Sequence, residues 1–151
     1  MTTEFIERLN SMRHQLRFRR LTDGPYAVVR LAADALLPGW AKRGEFTSIT
    51  RTSEELSVVC PIENLPADVR SPHRWICLKL QGPFEFSLTG VLLSFIEPLS
   101  SKGIPIFTVS TYDTDYVLIQ EEWAGAAVDA LRQAGHLLSE GNPSPTGSQK
   151  S

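Results

Sequence analysis

The chain's one acidic cluster in a strained setting is Asp113-Thr114-Asp115, a polar corner between two apolar runs. Two spaced carboxylates can hold a divalent cation. A carboxylate beside Tyr112 or Tyr116 can instead pair with an ammonium or a guanidinium group, bidentately in the second case. Aspartate also favours turns by bonding its own backbone, so turn geometry accounts for the pair equally well. Catalytic sets are missing elsewhere. His14, His73 and His136 fall in three unrelated stretches without metal-ligand spacing. Cys60 and Cys77 each sit in an apolar run, where a reduced thiol acts as a small hydrophobe. No nucleophile elbow, zinc-protease pair, phosphate-cradling glycine loop or dinucleotide fingerprint occurs. The expectation is a protein with no catalysis, no metal and no cofactor.

The bulk properties narrow the class further. At 151 residues the chain can form one ordinary domain or two very small ones, with a core that needs no disulfide. A net charge of −2 with both signs interspersed gives no electrostatic reason to expect nucleic acid or an anionic membrane. Arg17, Arg19, Arg20 and Arg30 alternate with apolar residues and read as a solvated strand face. No window approaches the ~20 apolar residues of a membrane span. The N-terminus lacks the basic-then-apolar order of a secretion signal, which predicts a cytoplasmic protein.

The elements that must position the acidic corner follow from the patterning. Phe5, Ile6, Leu9 and Met12 suggest a short amphipathic helix. Residues 16–21 alternate apolar and basic as a half-exposed strand, Thr22-Asp23-Gly24-Pro25 is turn chemistry, and Tyr26–Leu31 follows as the return strand. A short helix is predicted over Ala32–Trp40, ended by Pro38-Gly39. Strands are expected at 46–51 and 56–60, and the three prolines of 61–73 mark a linker.

The second part is more regular. Trp75–Leu80 is an apolar strand, and Leu88, Val91, Leu92, Phe95, Ile96 and Leu99 form a helical stripe with Ser87 as N-cap and Gly103 after its end. Gly90 inside that stripe would cost ~1 kcal/mol relative to Ala, so tight helix-on-sheet packing or a close ligand is needed to account for it. Residues 103–120 read as a strand hairpin, and Trp123 to Leu138 as a second helix with small alanines towards a sheet. Residues 140–151 hold nothing to bury and read as a disordered tail. The order βαββα, with a fourth strand supplied from elsewhere, predicts an α+β, ferredoxin-like βαββαβ sheet with its helices on one face. An exposed edge strand on such a sheet commonly pairs with a second copy, so a homodimer is expected.

Ser110-Thr111-Tyr112-Asp113-Thr114-Asp115-Tyr116-Val117-Leu118, preceded by Ile96-Glu97-Pro98-Leu99, closely resembles the ACT domains of the CASTOR cytosolic arginine sensors and their small relatives. The likeness covers residues 46–138 and is tightest over 90–121. It implies tandem ACT-like units: a divergent first unit within residues 1–66 and a regular second ACT domain over 72–139. It also implies that two copies of this chain stand in for one longer sensor. The ligand-contact positions that match are Gly90, Val91, Pro105, Ile106, Thr111, Tyr112 and Asp115. Asp115 would take a cationic end of the ligand, and Thr111 and Tyr112 would offer backbone groups, leaving Asp113 as turn former. Two departures stand out. Pro105 replaces a small hydroxyl residue and removes a backbone donor, and Glu85 adds a charge near the matching loop. Both point away from arginine and leave another amino acid.

The favoured expectation is therefore a non-catalytic sensor that binds a small-molecule effector, an amino acid, and acts on an unidentified regulated protein. The alternative is an ACT-fold dimerisation or partner-docking protein that binds no ligand. A transferase using Asp113, Asp115 and a metal comes last.

Overall fold

The computed structural model describes residues 2–4, 14–81 and 90–139. The helix expected near the N-terminus falls largely on residues outside these, as do Glu85, Ser87, Leu88 and the tail from 140. Eight strands form one sheet: β1 Arg17–Arg20, β2 Tyr26–Leu31, β3 Ser48–Arg51, β4 Leu56–Pro61, β5 Trp75–Leu80, β6 Phe107–Ser110, β7 Asp115–Gln120 and β8 Leu137–Leu138. Two α-helices lie wholly within the described residues, α1 Val91–Ser101 and α2 Ala124–Gln133.

From β5 onward the order is βαββαβ. β7 pairs antiparallel with β5 and β6 antiparallel with β7. In a ferredoxin-like sheet the last strand would lie beside the first. Here β1 stands between them, antiparallel to β5 and parallel to β8. The fold is thus α+β and ferredoxin-like, with an N-terminal strand threaded into the second half. Between residues 14 and 74 the described chain holds four strands and short 3-10 turns, without an α-helix.

Strand alternation sorts the sheet's side chains into two faces. Phe18, Ile76, Leu78, Leu80, Val117 and Ile119 point to the helices and pack on Val91, Phe95, Leu99, Ala127 and Leu131, all buried. The ring of Phe95 meets that of Phe18 edge-on at 5.3 Å between centroids. The helices therefore share one face, as the patterning predicts. The opposite face is aromatic: Tyr26, Phe46, Trp75, Cys77 and Leu118 are buried there, with Phe107, Val109 and Tyr116 half-buried against them. Phe46 stacks on Tyr116 at 4.2 Å.

Four local expectations change. β1 and β2 are not a hairpin. Both run along the same edge of β5, with Phe18 opposite Leu80 and Tyr26 opposite Trp75. Eight residues on one side match five on the other, so the turn residues 22–25 bulge out and the chain bends without reversing. Turn chemistry allows a change of direction but does not fix it; here the partner strand does, through Leu21 N–H donating to the Cys77 carbonyl at 2.9 Å. The helix expected over 32–40 is absent, and a 3-10 turn, Gly39–Lys42, begins where that helix was to end.

Leu137 and Leu138 belong to β8 and not to α2. Gly135, at φ 94°, closes α2 with His136 N–H bonded to the Leu131 carbonyl at 3.0 Å. The Leu137 and Ser139 N–H groups then donate to the carbonyls of Leu16, just before β1, and Phe18, within it. Finally, Gly90 is not inside α1. It is the N-cap residue, left-handed at φ 77°, which is the backbone reason for glycine there.

Candidate functional site

The hairpin corner is built by threonines. Thr111 N–H donates to the Thr114 carbonyl at 2.8 Å, and the Thr111 hydroxyl exchanges bonds with the Thr114 backbone at 3.0 and 3.3 Å. Thr114, buried, donates its hydroxyl to the Leu80 carbonyl at 2.7 Å and so ties the corner to the C-terminal end of β5. Asp113 is exposed and makes no bond in this turn among the described residues. The role of turn former passes from Asp113 to Thr111 and Thr114.

Asp115 opens β7 opposite Ser110, half-buried on the sheet side that carries the helices. Its carboxylate accepts the Ser110 hydroxyl. A carboxylate offers about four lone-pair positions, so most of its capacity is left for another donor. Tyr112 is 80% exposed at the corner's tip. On the opposite face Tyr116 is half-buried beneath Phe46, and burial raises its phenol above the ordinary value.

Gly90 and Val91 begin α1 after the connection from β5, at the sheet end that also carries the corner. Val91 is buried, and the Gly90 carbonyl accepts both the N–H of Ser94 at 2.9 Å and its hydroxyl at 2.8 Å. Ser94 in turn takes His14 N–H on its hydroxyl at 2.8 Å. His136, which sequence reasoning left without a role, lies buried behind it. Leu16 N–H donates to its Nδ1 at 3.1 Å, so Nε2 carries the proton and donates to the Ser94 carbonyl at 2.9 Å. This cluster fixes the first turn of α1 against the strand entering β1. No pattern of spacing announces it, because its members come from three separate segments.

Pro105 and Ile106 lie elsewhere. They precede β6, while Thr111 follows it, and four strand residues, about 13 Å, stand between. Within one chain, then, Gly90, Val91, Thr111, Tyr112 and Asp115 share one end of the sheet, and Pro105 and Ile106 occupy the other end of the β6 edge. Among the described residues β6 pairs only with β7. None of the described His, Cys, Asp and Glu residues group in threes as a metal site, and no described helix is long and apolar enough to cross a membrane.

Comparison with known proteins matches this architecture. The family model of the ACT domain fits residues 70–133, which span β5 to the end of α2, and a separate model of an N-terminal domain fits residues 24–68. The human protein CASTOR3P is 30% identical over 90 residues, 51% of this chain. Those residues are 55% of CASTOR3P, so the chain spans about half the length of that curated relative. Protein Atu0741 of Agrobacterium tumefaciens is 46% identical, with a TM-score of 0.78 over 83% of this chain and 93% of its own. VC0802 of Vibrio cholerae, at 22% identity, has the same fold, with a TM-score of 0.64 over 80% and 91% of the two chains.

Proposed function

The chain belongs to the ACT-domain proteins of CASTOR-like type, and from this we propose a non-catalytic cytoplasmic sensor that binds an amino acid between two copies. ACT domains are regulatory modules that bind small effectors and often dimerise. The observation that carries the reading is Asp115. It is half-buried with one light partner, beside the exposed Tyr112 and Asp113 of the corner and the left-handed start of α1.

The distance between Pro105-Ile106 and the corner fits the same reading. If two β6 edges pair antiparallel about their centre, the residues before one strand meet those after the other. Ile106 then faces Thr111 of the partner subunit, and Pro105 faces Tyr112 of the partner subunit. The seven positions become one site made twice. Asp115 takes the ammonium or side-chain cation of the ligand, and the first turn of α1 takes its carboxylate at the positive end of the helix dipole. Pro105 contributes shape but no backbone donor, which disfavours arginine.

A thermal-shift panel of amino acids on the full chain tests this, with Asp115→Ala as control. Stabilisation of the native protein by one amino acid, lost in the variant, is the expected result. Stabilisation of both alike would remove Asp115 from the site. Silence across the panel, with a dimer by ultracentrifugation, would favour a docking platform that binds no ligand.

A further inference from the structure

The bend between β1 and β2 leaves a cavity of about 330 Å³ lined by Arg20, Leu21, Thr22, Gly24, Pro25 and Ile76. It lies far from the hairpin corner: Ile76 pairs with Ile119, near the opposite end of β7 from Asp115. Its cause is the register. Three surplus residues loop out between β1 and β2, and the bulged backbone forms a wall that cannot settle onto β5. The bulge is held open from behind. Asp23 accepts the Tyr26 hydroxyl on one carboxylate oxygen and Glu45 N–H at 2.6 Å on the other. Its side chain lines a separate cleft with Arg43, Gly44 and Glu63 and does not line this one.

That leaves Arg20 as the one ionisable side chain on the wall. Unlike Arg19, which pairs with Glu45, its guanidinium has no hydrogen-bond or ion-pair partner among the described residues. The apolar part of the lining is Ile76, nearly fully buried on the helix face; Leu21 also lines the cavity but packs with the aromatic cluster of the opposite face, and Thr22 beside it is exposed. A cavity at the small end of the ligand-site range, with a lining apolar in part and a single uncommitted fork of donors, selects a planar anion on a short hydrocarbon body. We propose that this bend is a second ligand site, distinct from the hairpin, for a small aliphatic monocarboxylate.

Isovalerate and its neutral isostere isovaleramide, titrated separately into the full chain and followed by backbone amide NMR, test the assignment. Isovalerate is expected to shift the Leu21, Thr22, Gly24 and Ile76 amides, saturating in the millimolar range expected of a small fragment, ~1 mM. Isovaleramide should leave them unmoved. Because Arg20 is exposed, Arg20→Gln keeps the fold and should weaken isovalerate about tenfold, while Arg20→Lys, which retains the charge, recovers part of that loss. Unmoved bend amides, equal shifts from acid and amide, or unchanged affinity in Arg20→Gln would each overturn the proposal.

Discussion

In the bend between β1 and β2, Asp23 is tied on both oxygens, to the Tyr26 hydroxyl and to Glu45 N–H, and Tyr26 is fully buried. In the hairpin between β6 and β7, Asp115 holds one serine hydroxyl and the turn itself is closed by threonines. Both acids sit at a change of chain direction. One is consumed by the fold and the other is left over from it. Residue type and turn context do not separate these cases; the number of committed lone pairs does. An acid can serve a ligand only where something else does the structural bonding, and Thr111 and Thr114 do that here.

The largest expected effect follows from removing the committed acid. Asp23→Ala strands a buried phenol and a backbone N–H, and should lower unfolding stability by about 2–3 kcal/mol in urea titration. Adding Tyr26→Phe should recover part of the loss, since the orphaned hydroxyl goes with it. Full additivity of the two changes would erase the contrast between the corners. Thr114→Val should cost about 1–2 kcal/mol, because the Leu80 carbonyl loses its donor within a nearly isosteric side chain. A neutral result would mean the hairpin is anchored by something other than that bond.

Alkaline pH should act on the bend side. Burial pushes the Cys60 thiol from its ordinary value near 9 up to about 11, and pushes the Tyr26 phenol up as well, with Asp23 adding to the rise. Below pH 9 the thiol is protonated in folded and unfolded chains alike, and it adds no slope. Above it the unfolded chain ionises while folded Cys60 keeps its proton, so stability falls as pH rises from about 9 to about 11. Burial raises the Cys77 thiol as well, so Cys60→Ala should make that stretch of the curve shallower without abolishing its slope, and an unchanged slope would assign it to other groups. The smallest effect belongs to Asp115→Ala, within about 1 kcal/mol of the native chain in the absence of ligand, as suits a surface acid without a structural partner network. A loss as large as that of Asp23→Ala would make Asp115 structural and end its candidacy.

Much of this protein was legible in its residues. Alternation placed β1, apolar and β-branched runs placed β2, β4, β5 and the hairpin, and the stripe of Val91, Phe95 and Leu99 placed α1, because patterning reports which face an element must bury. The βαββα order with both helices on one face followed from the same signal. Of the site, the sequence supplied the acidic corner and the likeness that picks out Asp115. The partners of each group were not legible. Thr22-Asp23-Gly24-Pro25 reads as a reversal and is a bend, since only β5 decides where the next strand goes. Leu137 and Leu138 continue a helical stripe on paper, yet Gly135 and the open edge of β1 draw them into the sheet. Gly90 looks like a helix interior and is its left-handed first cap. Local preference sets which elements can form, because it acts within a few residues. Register, strand neighbours and the fate of each carboxylate depend on groups tens of residues apart, which only the folded chain brings within bonding distance.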